Sequence, residues 1–299
     1  MDALGNDRGE RGQLLLARQP QDEVAGRQAQ VEKGPQGVGH AGHHREVTSS
    51  FRQRVLGGET LIGAWASLDS PSSAELLGRA GLDWIVVDLE HGAETETSLL
   101  AHMYAIEVGG AAPLVRPPSG ERLRIGRALD LGAAGIVVPR LDTVDQVTEA
   151  MTFLRYPPAG QRGVALLTRG ARLGTVNHAG VAALNDDITG IIQIESPLAL
   201  EAAEDIAAID GVDCLFVGPA DLSHSLGIPG QFSNPTYQAA LRKVVDACHR
   251  HGKAPGILLY DHATFRPHLD LGYTFVGIGA DVSFVNEGIR AALAVVRGS

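Results

Sequence analysis

Cys214 and Cys248 are the only cysteines in 299 residues. With no CxxC pair and no histidine cluster beside them, neither a disulfide framework nor a thiolate zinc site is expected, and both read as ordinary thiols of a reducing cytoplasm. Lysine is almost as scarce, limited to Lys33, Lys243 and Lys253. No stretch reaches the roughly 18 apolar residues of a membrane span. Leu14-Leu15-Leu16-Ala17 is too short for a signal-peptide core, so a cytoplasmic protein is expected. Positive charge is also short, 25 Lys and Arg against 35 Asp and Glu, for a formal net charge of -10. With no basic stripe interleaved with aromatics, that balance would repel a phosphate backbone and argues against a nucleic-acid partner.

What is present fits a globular chain, with 44% hydrophobic and 20% charged residues. Residues 1 to about 50 are rich in Gly, Gln, Arg and His and hold no period of 2 or 3.6, so they are expected to form a disordered tail. His40, His43 and His44 within it read as a biased, solvated run rather than a metal cluster. Residues 51–299 have the length of a single α/β barrel domain.

From Leu61 onward, short Val- and Ile-rich runs alternate with longer amphipathic stretches, the pattern of repeated βα units. The expected strands are Ile62–Ser67, Trp84–Asp88, Pro113–Arg116, Gly135–Val138, Gly190–Glu195, Cys214–Val217, Ala254–Leu258 and Thr274–Ile278. Helical spacing spans Ser72–Ala80, Thr95–Val108, Arg122–Leu131, Val144–Leu154, Leu198–Ile209, Thr236–His251, Ala263–Leu271 and Val282–Val296. This predicts a (β/α)8 TIM barrel. The rival open sheet would carry a GxGxxG fingerprint after its first strand, which is missing. The longest connection, from Arg155 to about His178, is broken by Pro157, Pro158, Gly160 and Gly163 and is either functional or a surface excursion or subunit contact.

Chemistry on such barrels sits where the strands end. Polar residues concentrate there: Asp88-Leu89-Glu90-His91, Arg116, Gln193-Ile194-Glu195 and Gly218-Pro219-Ala220-Asp221. Glu195 and Asp221, from adjacent strands, are oxygen ligands suited to a hard divalent ion with open positions. A 2-oxo acid such as pyruvate could chelate that ion through its carboxylate and ketone, and the ion would stabilise an enolate. Acids at strand ends also serve as helix N-caps. The Gly-Pro-Ala-Asp turn could offer backbone N–H groups to the substrate carboxylate, or be a plain turn.

Imidazole is the side chain suited to acid–base work near neutral pH, and His91 stands beside Asp88 and Glu90, either of which could fix its tautomer. Arg116 could hold a positive charge against a developing enolate oxygen, with a structural ion pair as the alternative. A Schiff-base route needs a buried lysine inside the barrel. Lys33 in the tail, Lys243 on a helix and Lys253 at the wrong end of a strand are poor candidates.

These residues resemble the HpcH/HpaI family of class II pyruvate aldolases. The likeness runs from about Leu61 to Ala294 through Gly63-Ala64-Trp65, Asp83 to His91, Val115-Arg116-Pro117, Tyr156-Pro157-Pro158 to Gly163, Gln193-Ile194-Glu195, Val217 to Ser223 and Lys253 to Leu258. The resemblance implies metal-dependent cleavage of a 4-hydroxy-2-oxo acid to pyruvate and an aldehyde, with Mg²⁺, Mn²⁺ or Co²⁺. Glu195 and Asp221 would hold the metal, His91 with Asp88 would handle the proton, and Arg116 would meet the carbonyl. Gln193 with the Ala220 backbone at Pro219 would hold pyruvate, Trp65 and Leu258 would wall the pocket, and Asp130 with Glu90 would support His91. Family members resemble one another in forming hexamers, trimers of dimers that exchange the C-terminal helix, so a homo-oligomer is expected.

Two departures stand out. Residues 1 to about 50 have no family counterpart, and Arg140 replaces a residue that is more often uncharged, suggesting a contact to a carboxylate on the aldehyde acceptor. The rival functions are an acyl-CoA lyase of the citrate or malyl-CoA type, for which no basic nucleotide pocket is evident, and a non-catalytic 2-oxo acid binder.

Overall fold

The computed structural model describes residues 50–298. The expected tail, with Lys33, His40, His43 and His44, lies outside the described residues except for Ser50. Ser50 caps helix α1 (Phe51–Leu56) in a capping box, its hydroxyl accepting from the Gln53 N–H while the Gln53 side chain accepts from the Ser50 N–H at 2.9 Å.

Eight parallel strands then close a barrel in chain order: β1 (Leu61–Ala66), β2 (Trp84–Asp88), β3 (Ala112–Arg116), β4 (Gly135–Val138), β5 (Thr189–Ile194), β6 (Cys214–Val217), β7 (Ala254–Leu258) and β8 (Phe275–Ala280). The outer helices are α2 (Pro71–Arg79), α3 (Leu99–Gly109), α4 (Arg122–Asp130), α5 (Val144–Leu154), α6 (Pro197–Glu201), α7 (Ala203–Ala208), α8 (Pro219–Ser225), α9 (Pro235–Arg250), α10 (Phe265–Leu271) and α11 (Asp281–Arg297). The fold is a (β/α)8 TIM barrel, and every expected strand lies within one or two residues of its place.

Strand parity decides what each residue meets, because alternate side chains point to opposite faces. On β2, Ile85 and Val87 join the layer between barrel and helices, while Trp84 and Val86 fill the interior. On β5, Ile192 and Ile194 face outward and Ile191 inward. The interior is aromatic, with Trp84 stacked on Phe275 at 4.4 Å and Trp65 edge-on to Trp84 at 5.5 Å. Room for these rings comes from glycine on neighbouring strands. A Cβ at Gly63 would stand 2.0 Å from the Trp84 ring, and one at Gly256 would stand 2.7 Å from Phe216. Large residues opposite small ones fill the barrel interior.

Three local expectations are corrected. The Leu198–Ile209 helix is two pieces, α6 and α7, broken at Ala202. Periodicity does not signal the break, since Ala199, Ala203 and Ile206 are buried on both sides of it. Gly218-Pro219-Ala220-Asp221 is the first turn of α8, with Pro219 where a missing N–H costs nothing. The long connection after Arg155 has a small core of Tyr156, Ala171, Val181 and Leu184. Asn185 pins it by accepting from the Tyr156 N–H at 2.7 Å and donating to the Tyr156 carbonyl at 3.1 Å.

Candidate active site at the barrel mouth

The inward phase that buries Trp84 and Val86 brings Asp88 to the mouth, and on β5 it brings Gln193 and Glu195 there. Asp88 pairs in register with Arg116. Their side chains form a two-pronged pair, Arg116 Nε donating to Oδ1 at 2.8 Å and Nη2 to Oδ2 at 2.6 Å. Such a fork fixes the guanidinium plane as well as its position. Arg116 also donates from Nη1 to Gln193 Oε1 at 3.4 Å, and its Nε lies 3.3 Å from Glu90 Oε2. Burial opposes its charge, but the hydrogen bonds and charge of Asp88, with Glu90 and Glu195 beyond, hold its pKa above the ordinary value.

A cavity of about 260 Å³ opens above this pair. Of the expected residues, Trp65, Asp88, His91, Arg116, Gln193, Pro219, Ala220, Asp221 and Leu258 border it. Glu195 lies just behind Gly218, where a Cβ would come within 2.9 Å of its Oε2. Glycine at this turn therefore gives the carboxylate its place. Its Oε1 accepts from the Arg140 N–H at 2.9 Å. Arg140 reaches that position with φ +48°, a left-handed conformation that is costly for a residue with a Cβ. The expected role for Arg140 lay in its side chain, whereas this contact is made by its backbone.

Two supporting roles come out differently. Asp88 is engaged by Arg116 and by the N–H groups of Glu90 and His91, so it holds the arginine and the loop rather than the imidazole. The His91 ring is exposed, and its Nε2 lies 3.6 Å from Glu90 Oε2. Asp130 does not meet His91 within this chain. It ends α4, which runs back from the mouth, and pairs with Arg162 Nη2 at 3.2 Å beside a separate cavity. Sequence reasoning also missed Ser67, Phe216, Tyr260 and Ala280, which border the site. For Ser67 and Tyr260 a signal existed, since each stands two residues beyond an inward residue, Trp65 or Leu258.

The electrostatics favour a cation. Burial, then the charges of Asp221 and Glu90, push the Glu195 carboxyl above the usual carboxylate range, against the Arg140 N–H and Arg116. Among the described residues Arg116 is the one fixed positive charge bordering the cavity, set against Asp88, Glu90, Glu195 and Asp221. Among the described residues no cluster of three or more His, Cys, Asp or Glu forms a closed metal cage. Two carboxylates of hard oxygen donors fit an open site that leaves coordination positions for substrate and water.

A family model described as HpcH/HpaI aldolase/citrate lyase matches residues 61–287. The chain is 39% identical over 234 residues to a 5-keto-4-deoxy-D-glucarate aldolase of Klebsiella pneumoniae subsp. pneumoniae, covering 78% of this chain and 91% of that protein. It is 38% identical over 256 residues to a hydroxypyruvate/pyruvate aldolase of Paraburkholderia phytofirmans, covering 84% and 98%. A crystal structure of an HpcH/HpaI aldolase/citrate lyase family protein from Burkholderia cenocepacia superposes with a TM-score of 0.78 at 38% identity, over 82% of this chain and 98% of that one. The barrel, its polar mouth and relatives of this identity agree: the chain belongs to the HpcH/HpaI aldolase/citrate lyase family and is a carbon–carbon lyase.

Proposed function

We propose that the chain cleaves and forms the C3–C4 bond of 4-hydroxy-2-oxo acids, giving pyruvate and an aldehyde, with a divalent cation held by Glu195 and Asp221. The observation that carries this is that Asp221 and the rigid Arg116–Asp88 fork border one cavity, with the Glu195 carboxylate just behind its Gly218 wall and within reach of the Asp221 charge. Bound there, Mg²⁺, Mn²⁺ or Co²⁺ would supply Lewis acidity toward the 2-oxo group.

The protein's own groups do the rest. Gln193 and the N–H groups of Ala220 and Asp221, in the first turn of α8 where a helix provides no acceptor, orient the substrate carboxylate. Arg116 meets the C2 oxygen, where negative charge grows as C3–C4 breaks. His91 takes the proton of the 4-hydroxyl, that O–H electron pair becomes the aldehyde carbonyl, and the C3–C4 pair passes into the pyruvate enolate. Return of a proton to C3 completes pyruvate. Trp65 and Leu258 form the apolar walls.

The same reading extends to the rest of the chain. Residues 51–299 act as one barrel domain after an N-terminal tail. The Arg140 side chain, exposed and without an ion-pair partner among the described residues, is free to meet a carboxylate on the acceptor. On α11, Val282, Val285, Ile289, Leu293 and Val296 make an apolar stripe at 40%, 52%, 53%, 39% and 83% exposure. Such a stripe supports exchange of this helix between subunits of an oligomer, a hexamer by family analogy. Buried, unpaired Cys214 and Cys248 suit a reducing cytoplasm.

The test is pyruvate release from 4-hydroxy-2-oxo acids before EDTA, after EDTA, and after adding back each metal. Loss and metal-specific recovery are expected. Release that survives EDTA and is trapped by borohydride would replace this route with an imine. Absence of cleavage, with turnover of an acyl-CoA thioester, would replace the substrate class.

A further inference from the structure

Beyond the site a second cavity of about 290 Å³ lies between the end of β7 and α9. It shares Pro219, Leu258 and Tyr260 with the site cavity, so the two are separated by one layer of side chains. Its walls are largely carbon. Phe232 stacks on the Tyr260 ring at 5.7 Å and meets the buried Tyr237 at 5.4 Å, while Ile257 and Leu258 close the barrel side. The loop carrying Phe232 is held by the Gln238 amide, which donates to the Phe232 carbonyl at 2.8 Å. No lysine or arginine among the described residues borders the cavity, and Asp261 is occupied in accepting from the Ala263 N–H at 2.9 Å. His268 on the same wall is turned by its Nδ1 to the Thr264 carbonyl at 2.8 Å, so the cavity offers an anionic group no fixed positive charge.

We infer that this side cavity is an acceptor subsite for aldehydes with an extended apolar or aromatic tail, entered past Tyr260; the inference rests on the aldol reading above. The geometry fits such a tail. Tyr260 is 60% exposed, so its ring can swing without disturbing the core. Its phenol feels the charges of both Asp221 and Arg116, which places this wall beside the reacting groups. The volume is nearly twice the roughly 150 Å³ of an apolar cavity that takes up benzene. With the carbonyl near His91 and Asp221, a short acceptor would leave the space unfilled, and a chain of several carbons would fill it.

The experiment is aldol addition of pyruvate to acetaldehyde, hexanal and succinic semialdehyde, together with pyruvate C3 hydrogen exchange in D2O without any acceptor. Hexanal is expected to exceed acetaldehyde in kcat/KM by roughly tenfold or more, the scale of filling an apolar pocket. Ser233→Trp, which narrows the cavity from its rim, should erase that preference while leaving exchange and the succinic semialdehyde rate unchanged. Phe232→Ala, which enlarges it, should shift preference to longer tails. Equal kcat/KM for hexanal and acetaldehyde with exchange intact overturns the subsite and leaves the aldol reading standing. Absence of both exchange and addition overturns both. A Ser233→Trp loss that falls equally on all three acceptors also overturns the subsite.

Discussion

The lower interior of the barrel and its mouth are built from the same strands with opposite demands. Below, Trp84, Phe275 and Phe216 pack against glycine on neighbouring strands, and the Trp84 indole N–H donates to the Leu61 carbonyl at 3.3 Å. Above, four residues further along β2, Asp88 is buried with a charge that Arg116 balances. The lower half gains from burial of apolar surface. The upper half gathers like charges that burial opposes and so stands ready for a cation and an anionic substrate. The stable part of the barrel carries the part that would not be stable alone.

Substitutions at the two levels should therefore fail in different ways. Glu195→Gln removes a proposed metal ligand, and since Lewis-acid stabilisation is worth several kcal/mol, kcat should fall by about 10³-fold or more. The protein without metal should be at least as thermostable as wild type, as a differential scan would show. Arg116→Lys keeps a charge but loses the fork, and kcat should drop about 10²-fold. Because Asp88 beneath it is buried, this variant should also melt earlier. His91→Asn should lower kcat by about 10²-fold, the lower end of acid–base contributions, with little change in Tm because the ring is exposed. At the other level, Gly63→Ala drives a methyl into Trp84 and should cost about 1–3 kcal/mol of stability in denaturant unfolding. The activity of its folded fraction should be unchanged.

Strand parity explains how much of this was legible in the sequence. The strands and most site residues could be found because apolar runs ended in acids, an arginine and a glutamine, and inward spacing carried them to one mouth. Partners were less legible. Asp88 stands two residues from Glu90 and three from His91 in sequence, yet its carboxylate turns to Arg116 because parallel register sets β3 directly alongside. Asp130 was misplaced within the chain because a helix after a strand returns to the opposite end of the barrel, away from the mouth. Arg140 contributes a backbone N–H, which any residue would carry, so its identity gave no sign of it.

The smallest expected effect is the pH dependence of the metal-free protein. The folded Glu195 carboxyl is pushed above its unfolded value by burial and by Asp221 and Glu90. Its favourable contribution is present below the unfolded carboxylate pKa and is lost as pH rises through the folded one. Wild type and Glu195→Gln should thus melt nearly alike at acidic pH and diverge in favour of the variant as pH rises through that window. Added Mg²⁺ should close the gap only for wild type.

Mn²⁺ binding measured by calorimetry, on wild type and Glu195→Gln, with and without pyruvate, tests the central claim most directly. The account predicts one Mn²⁺ site in wild type that tightens with pyruvate and disappears in the variant. Equal Mn²⁺ affinity in both proteins, or no effect of pyruvate on either, would contradict it.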